Sequence, residues 1–446
     1  MKLTGKKAVV IAIALVLILS LSLGACSTGG NGGSTSGDAA TDQGSATPAP
    51  SGDTSTDSSN EILVGYVTAF TGPLSVFTVA TKWVDDKCLD IINNQKGGIN
   101  IGGTNYKIRV IYGDTQSDPT KATEVATKMV TDSKVNILVG AWTPDDTAPV
   151  SAVGERYKIP TYISNSPAES WINSGGPYTW AMGTLFYMKD LETDNIGSLD
   201  KLDTNKTVGF VFDSEVDGET IAPMLQPMLE AAGYTVFDPG RFPKATTDYT
   251  DIIRKLQAAN CDIVTANMIG PDFQVLWKQF HELNYIPKAF NIGKAVHFQA
   301  DADALGDGLA NGLMSEVLWD RSFPYTSPLL NESCDQLAQE WEDSQGTQFP
   351  ATLGYDVSLW EVLYDSLTRT ASLDPSDIRD AILATDIDSI YGHLKFDENQ
   401  VAKVPCVTVQ WHTGDKWSYE KTIVSTVTTP SIPSQQPFII PDTTQK

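Results

Sequence analysis

From residue 62 onward, short apolar runs alternate with longer segments in which apolar residues recur every three or four positions. The short runs are rich in β-branched residues and predict strands, whereas the longer period predicts amphipathic helices. In the first part of the body we predict strands at 62–67, 108–112, 135–140 and 161–164, and helices at 80–92, 119–130 and 148–158. The run at 135–140 is almost wholly apolar, which is typical of a buried parallel strand.

The same alternation begins again near residue 207. Here we predict strands at 207–212, 235–237, 262–266 and 288–292, and helices at 220–232, 249–258 and 273–283. Further on we predict a strand, helices at 329–344, 354–370 and 375–385, and a final run of strands within 391–424. Two series of this kind predict an α/β protein with two doubly wound, parallel-sheet lobes. Since ligands bind at the carboxyl ends of the strands in such sheets, we expect a ligand cleft between the lobes.

The chain begins with a different pattern. Three lysines within the first seven residues precede an apolar run at 8–23, and the run ends in the string LGAC at 23–26. This layout predicts a secretory signal peptide over 1–25. The string is similar to a bacterial lipobox, and that similarity implies cleavage before Cys26 and lipidation of its thiol. The alternative is an uncleaved N-terminal helix with an incidental cysteine.

A polar segment separates Cys26 from the body. Residues 27–60 consist mostly of Gly, Ser, Thr, Asp, Ala and Pro, with no aromatic residue and no Leu, Ile or Val. Such a composition buries too little apolar surface to fold. We therefore predict that 26–60 is the lipidated Cys26 followed by a disordered linker. A flexible chain of this length spans about 30–35 Å, which holds a folded body clear of a membrane surface.

Composition limits the partners that the chain can have. It has 446 residues, of which 41% are hydrophobic, and a formal net charge of −24. Roughly 385 residues remain after the linker, which suits two domains. The acidity argues against nucleic acid and anionic surfaces as partners, and it also keeps a protein soluble.

The sequence gives no support for a catalytic or metal site. The four histidines lie at no metal-ligand spacing, and the chain lacks the GxSxG, HExxH, P-loop and GxGxxG motifs. The cysteines after Cys26 are widely spaced, so we expect buried free thiols or at most one disulfide; they are Cys88, Cys261, Cys334 and Cys406. We therefore expect no cofactor, no metal and no enzymatic activity, although the residues of a catalytic triad meet only in space.

Six short strings of the body stand out by their order and spacing: FTGPL at 70–74, GGIN at 97–100, DTQSDPTKA at 114–122, TTDY at 246–249, LQAA at 256–259 and GYD at 354–356. Together they resemble one known family, the branched-chain-amino-acid-type solute-binding proteins of ABC importers. The resemblance covers nearly all of 61–424. It implies the type I periplasmic-binding-protein fold, in which the chain crosses three times between two lobes.

We place the three crossings near residues 183, 309 and 386. Lobe 1 would then comprise 61–183 and 310–385, and lobe 2 would comprise 184–309 and 386–437. In this family the loops that follow the strands of both lobes contact the ligand.

In lobe 1 the resemblance implies ligand contacts from Phe77, Trp142, Thr143, Asn165 and Ser166. Phe77 would cover the ligand with its ring, Thr143 would bind a ligand carboxylate, and Trp142 offers a flat stacking surface. The alternatives are core packing for the two aromatic residues and turn formation for Asn165 and Ser166.

In lobe 2 the resemblance implies ligand contacts from Asp217, Ile269, Gly270 and Lys294. Amino-acid binders of the family tend to place a carboxylate in the loop where this chain has Lys294. That departure brings an α-amino-acid ligand into question and, if Lys294 points into the cleft, favours an anionic ligand. Together with the aromatic side chains of lobe 1, it suggests an aromatic or otherwise flat acid. The alternative for Lys294 is a solvated loop tip.

The resemblance implies a monomeric, extracellular solute-binding lipoprotein that delivers a small organic solute to an ABC permease. The expected solute is an amino acid, a carboxylate or an aromatic acid, and the lobes would close over it. The lipid on Cys26 would hold the protein at the outer face of the cell membrane. A ligand-sensing receptor of the same fold is one alternative, and an extracellular α/β hydrolase is another.

Overall fold

The structure is a computed structural model, and it describes residues 60–306, 308–435 and 438–441. The predicted signal peptide, Cys26 and all of the predicted linker except Asn60 lie outside the described residues. The described chain passes through two lobes in four segments.

The first segment belongs to lobe 1. Its strands are β1 (Glu61–Thr68), β2 (Ile99–Ile101), β3 (Thr104–Asp114), β4 (Ile137–Ala141), β5 (Thr161–Pro167) and β6 (Ala181–Phe186). Its helices are α1 (Thr81–Asp90), α2 (Pro119–Thr131), α3 (Pro144–Tyr157) and α4 (Ala168–Asn173), and a short 3-10 helix spans Ser75–Thr78.

The second segment belongs to lobe 2. Its helices are α5 (Met188–Leu199), α6 (Val216–Ala231), α7 (Thr250–Ala258), α8 (Gly270–Glu282) and α9 (Gln299–Leu305). Its strands are β7 (Thr207–Asp213), β8 (Thr235–Phe237), β9 (Arg241–Phe242), β10 (Ile263–Met268), β11 (Ala289–Lys294) and β12 (Met314–Val317).

The third segment returns to lobe 1 and the fourth to lobe 2. The third holds β13 (Thr326–Ser327), β14 (Glu332–Ser333), α10 (Cys334–Gln345), α11 (Thr352–Arg369), α12 (Pro375–Leu383), β15 (Asp386–Ser389), β16 (Gly392–Lys395) and β17 (Val401–Lys403). The fourth holds β18 (Val407–Thr413) and β19 (Tyr419–Ser425).

Each lobe is built on one large sheet. The strand order is β17-β6-β5-β4-β1-β3-β2 in lobe 1 and β19-β18-β12-β11-β10-β7-β8 in lobe 2, where β9 also pairs with β7. The central pairings are parallel; in lobe 1, for example, Val64 lies opposite both Val110 and Ile137. Antiparallel pairings join β2 to β3 and join β18 to both β12 and β19. The predicted α/β fold with two doubly wound lobes is confirmed.

Sheet pairing moves all three predicted crossings to later points in the chain. The crossing predicted near 183 falls inside β6, and the chain leaves lobe 1 only after Phe186. The crossing predicted near 309 is too early, because β12 still pairs with β11 in the sheet of lobe 2. The crossing predicted near 386 is too early as well, because β17 pairs with β6 in lobe 1. Residues 310–317 therefore belong to lobe 2, and residues 386–403 to lobe 1.

Local capping explains where several helices begin. Asp118 caps α2 by accepting hydrogen bonds from the backbone amides of Thr120 and Lys121, as its position before a proline predicts. The helix predicted at 329–344 begins only at Cys334, because Ser333 and Gln336 form a capping box there. Helices α4, α5 and α9 are additional to the predicted set.

Two buried carboxyl groups lie in the core of lobe 1, between α1 and α11. Asp85 accepts hydrogen bonds from Trp360 Nε1 at 2.6 Å and Tyr112 Oη at 2.7 Å, and Asp356 accepts one from Tyr66 Oη at 3.1 Å. Burial raises the pKa of Asp85 from its ordinary 3.8 to about 7, and burial together with Asp85 raises the pKa of Asp356. Desolvation of this kind favours the protonated acid.

We predict that this core makes folding stability depend on pH. The folded protein holds the Asp85 proton more tightly than the unfolded chain, so stability falls as the pH rises from about 4 to about 7. The variant Asp85→Asn removes the titration; its amide oxygen can still accept from Trp360 Nε1, and its amide nitrogen can donate to Tyr112 Oη. Between pH 5 and pH 8 the wild-type protein should lose about 2–3 kcal/mol more unfolding free energy than this variant, as measured by urea denaturation. Asp90→Asn, at an exposed position on the same helix, should keep the wild-type slope; equal slopes for the wild type and Asp85→Asn would contradict the prediction.

Candidate ligand-binding cleft

A cavity lies between the two lobes, where the carboxyl ends of the central strands of both sheets meet. It offers about 80 Å³ to the centres of water molecules. One water needs about 10–15 Å³ on this measure, so the cavity has room for several waters or for a small organic molecule. Its wall is mixed, with aromatic and aliphatic side chains on several sides and a band of polar groups along the strands of lobe 2.

Six of the nine predicted contact residues line this cavity. They are Phe77, Trp142, Thr143, Asn165, Asp217 and Lys294. The other three lie outside it. Ser166 is buried and accepts a hydrogen bond from Thr147 Oγ1 at 3.2 Å, while Ile269 and Gly270 form the start of α8, where Gly270 faces Asp301 of α9.

Aromatic side chains close the cavity across the two lobes. The ring of Phe77 in lobe 1 lies 5.4 Å from Phe298 and 6.0 Å from His297, which both follow β11 in lobe 2. Phe77 also lies 5.8 Å from Trp142, which lies 5.3 Å from Tyr355 of α11. Contacts between aromatic rings at these distances are attractive. The structure therefore holds the lobes in a closed arrangement.

Three of the predicted residues adopt left-handed backbone conformations. The φ angles are +85° at Trp142, +57° at Asn165 and +66° at Lys294. A positive φ is an outlier for a residue as bulky as tryptophan and costs on the order of 1–3 kcal/mol. Such strain persists only where the surrounding structure imposes it, and it is concentrated at ligand-binding positions.

The lobe 1 wall offers hydrogen-bond donors. Trp142 follows β4, and Thr143 is the N-cap of α3, with Pro144 at the first helical position. Among the residues that the structure describes, Trp142 Nε1 and Thr143 Oγ1 find no hydrogen-bond partner, although both atoms are buried. The N-terminus of a helix carries a partial positive charge. Asp145 and Asp146 already lie in the first turn of α3. The unpaired donors of Trp142 and Thr143 therefore suit an acceptor group such as a carboxylate, rather than the helix end alone.

The lobe 2 wall offers mainly acceptors. Asn267 on β10 and Asn291 on β11 both face the cavity, and within the described chain neither side-chain Oδ1 has a hydrogen-bond partner. Glu316 on β12 also lines the cavity, with Oε1 at 3.0 Å from His297 Nε2. Because an unpaired buried polar atom costs about 1–3 kcal/mol, these atoms call for a partner inside the cavity.

Lys294 and Asp217 form a buried ion pair in lobe 2. The side chain of Lys294 is 14% exposed and that of Asp217 is 1% exposed. Burial lowers the pKa of Lys294, but the carboxylates of Asp217, Asp145 and Asp213 outweigh it, so the pKa rises above its ordinary value. Lys294 is thus no solvated loop tip. It lines the cavity as a permanent cation, and its charge is already matched by Asp217.

Several cavity residues were not among the predicted contacts. They are Glu192 and Asn195 on α5, Thr265, Asn267, Asn291 and Glu316 on the strands of lobe 2, and the aromatic residues Phe298 and Tyr355. The two asparagines lie in the largely apolar strands IVTANM and AFNIGK. Polar residues inside a buried strand are uncommon, and that signal in the sequence would have found them.

Three further features of the described residues concern metal ligands, cysteines and membrane-spanning helices. No group of three or more His, Cys, Asp or Glu side chains in this part of the chain is placed to hold a metal ion. Cys88, Cys261, Cys334 and Cys406 are buried free thiols, as the sequence predicts. Between residues 60 and 441, leaving aside 307 and 436–437, no helix is long and apolar enough to cross a membrane.

Comparison with known proteins gives consistent matches. A family model described as periplasmic binding protein matches residues 61–416. Leu/Ile/Val-binding protein homolog 8 of Brucella abortus is 22% identical over 341 residues, which cover 72% of this chain and 81% of that protein. The leucine-specific-binding protein of Salmonella typhimurium is 24% identical over 363 residues, covering 79% and 91%.

Solved structures share the fold at lower identity. A leucine-binding protein from Thermotoga maritima aligns with a TM-score of 0.67 at 17% identity and covers 81% of this chain and 97% of its own. A solute-binding protein of an ABC transporter from Rhodopseudomonas palustris, solved with 4-hydroxybenzoate, aligns with a TM-score of 0.66 at 15% identity and covers 86% and 99%.

We predict that the Lys294–Asp217 pair is needed for stability. The variant Lys294→Met leaves Asp217 buried without its counter-charge and should lose about 3–5 kcal/mol of unfolding free energy in urea denaturation. The double variant Lys294→Met/Asp217→Leu should recover most of this loss, because no charge is then stranded.

A matched control is Lys278→Met. Lys278 forms an exposed pair with Glu282 at 3.8 Å, and its loss should cost less than about 1 kcal/mol. Equal stabilities for Lys294→Met and Lys278→Met would show that the buried pair contributes nothing.

Proposed function

We infer, because this chain belongs to the branched-chain-amino-acid type of the periplasmic binding protein family, that it is the solute-binding protein of an ABC importer. Its task would be to capture a small organic solute between the two lobes and to present the closed form to a membrane permease. The observation that carries this proposal is the cleft itself. A closed cavity is lined by buried polar atoms that find no partner in the described chain, and a bound solute would supply those partners.

The solute would carry a carboxylate and an apolar body. The carboxylate is suited by the unpaired donors Trp142 Nε1 and Thr143 Oγ1. The apolar body is suited by the aromatic groups around Phe77 and Tyr355. Amino acids and aromatic acids both meet this description. Proteins that share the fold bind isoleucine in one solved complex and 3,4-dihydroxybenzoic acid in another.

The ion pair between Lys294 and Asp217 affects which ligand charge the cavity can accept. A cation in the cavity favours an anionic solute when it has no counter-charge, but Asp217 supplies one here. The pair is neutral as a unit, so the cavity does not require a net anion. Zwitterionic amino acids therefore remain candidates beside aromatic acids.

We further propose that the protein is a monomeric lipoprotein at the outer face of the cell membrane. The basic residues, the apolar run and the LGAC string at 23–26 support lipidation at Cys26. The polar linker would act as a tether that keeps a capture protein near its permease. A receptor that senses the same solute would share the binding step, and neighbouring permease and ATPase genes would favour transport.

The binding proposal predicts a specific role for Thr143. A panel of amino acids and aromatic acids, screened by thermal shift, should contain solutes that stabilise the wild-type protein. The isosteric variant Thr143→Val should bind the best of them at least about tenfold more weakly in calorimetry, because a hydrogen bond to a charged group is lost. Thr422→Val, a buried position on β19 outside the cavity, should keep the wild-type affinity. Two results would argue against the proposal. One is chemical turnover of a solute by the purified protein, and the other is native mass spectra in which no solute of the panel is bound.

The anchoring proposal predicts a change in location. Cells that express Cys26→Ser, which has no thiol to lipidate, should release the protein from the membrane fraction, whereas wild-type protein should stay there until detergent is added. Cys261→Ser provides a control that alters a buried thiol in the folded body. Membrane retention of Cys26→Ser equal to that of wild-type protein would rule out Cys26 as the anchor.

A further inference from the structure

The cavity does not end at the strand termini of lobe 2. Asn267 and Gly293 lie at the ends of β10 and β11, and Thr265 and Asn291 lie two residues earlier on the same strands and also line the cavity. Alternate residues of a strand share a face, and two residues span about 6–7 Å. The cavity therefore continues along the face of the sheet, beneath helix α5. We call this part the α5 recess.

Polar side chains form the entrance of the α5 recess. Glu192 and Asn195 come from α5, while Thr265 and Asn291 come from the sheet below. Thr408 Oγ1 donates to Asn195 Oδ1 at 2.8 Å, and Asn195 Nδ2 donates to Glu192 Oε2 at 3.1 Å. This chain of hydrogen bonds fixes Glu192 and uses one of its two oxygens, so the other is left for the cavity.

These polar side chains are more deeply buried than such residue types usually are. Glu192 and Asn291 are each 5% exposed, and Asn291 Oδ1 is without a hydrogen-bond partner among the described residues. Burial raises the pKa of Glu192 to about 8. Beyond the entrance, a small void is walled by apolar residues such as Val208, Leu225 and Ile263. A ligand that enters the recess must therefore satisfy polar groups before it meets an apolar surface.

The chemistry of the recess separates three kinds of ligand group. An apolar group would leave Asn291 Oδ1 and Glu192 unpaired, which is unfavourable for buried atoms. A carboxylate could accept from a protonated Glu192, but it would also place acceptor oxygens against Asn291 Oδ1 and Glu316, while Lys294 already pairs with Asp217. A neutral or cationic group with N–H donors would pair with the acceptors of Asn291 and Glu192.

We propose that the cleft selects solutes that place an N–H-bearing group, such as an amide or amine, in the α5 recess, and that Glu192 and Asn291 determine this specificity. The inference rests on the proposed function, since it concerns which solute the same cleft captures. It goes further because the selecting groups lie on α5 and on the strand beneath it rather than in the loops after the strands. A branched apolar side chain alone would be a poor occupant.

The first test uses ligands of matched shape with the wild-type protein. One set is L-leucine, L-asparagine and L-aspartate; the other is 4-methylbenzoate, 4-aminobenzoate and terephthalate. Calorimetry should show that, in any set that binds, the N–H-bearing member binds tightest, by at least about tenfold over the methyl-bearing member. Tightest binding of a methyl-bearing or dicarboxylate member would overturn the inference and leave the proposed function standing. Absence of binding by all six compounds would count against both.

The second test uses variants of the two selecting residues. Asn291→Leu and Glu192→Leu should each weaken binding of the N–H-bearing member at least about tenfold while leaving the methyl-bearing member as tight or tighter. Glu192→Gln, which keeps hydrogen-bonding groups, should retain the wild-type preference. The control Ser315→Ala lies on the neighbouring strand β12, where Ser315 Oγ donates to Ile292 O, outside the cavity. An unchanged preference in both leucine variants, or an equal loss in Glu192→Gln and Glu192→Leu, would contradict the assignment.

Discussion

The structure depends on one constraint: closing the two lobes buries the polar carboxyl ends of two sheets, and each buried polar group then needs a partner. The protein supplies some of these partners itself. Lys294 pairs with Asp217, and His297 lies 3.0 Å from Glu316. Other atoms, among them Trp142 Nε1 and Asn291 Oδ1, have no partner within the described residues. The closed state therefore leaves buried polar atoms unpaired, and a solute that forms hydrogen bonds with them would stabilise the closed state.

The backbone around the cleft reflects the same constraint. Trp142, Asn165 and Lys294 all have positive φ angles, on three different strand ends. The apolar interiors of both sheets hold these positions in place, because strands such as β4 are buried along their whole length. The packed strands thus impose backbone conformations at the cleft that these residue types seldom adopt by themselves. A rigid frame of this kind would keep the site pre-organised while the two lobes close over a solute, as the proposed function requires.

The sequence predicts the fold far better than the site. Apolar periodicity identifies most strands and helices, because burial of a sheet between helices repeats the same pattern many times. It fails at α5, where Glu192, Asp194 and Asn195 are buried and break the apolar stripe. It also fails at the crossings, since the membership of β12 and β17 in their sheets depends on pairing with distant strands. Six of the nine residues that the family resemblance implies line the cavity. Those in the strand interiors are missed, because the resemblance concerns the loops that follow the strands.

Under the proposed function, helix α5 would link solute recognition to lobe movement. It begins at Met188, two residues after β6 ends in lobe 1, so the first crossing passes directly into this helix. Phe186, Met188 and Glu192 all line the cavity. A hinge absorbs closure through rotations of a few residues at the end of an element. A solute that contacts the crossing and the helix after it therefore acts on the segment whose conformation changes as the lobes close. Specificity in the α5 recess and the stability of the closed state would then have the same structural origin.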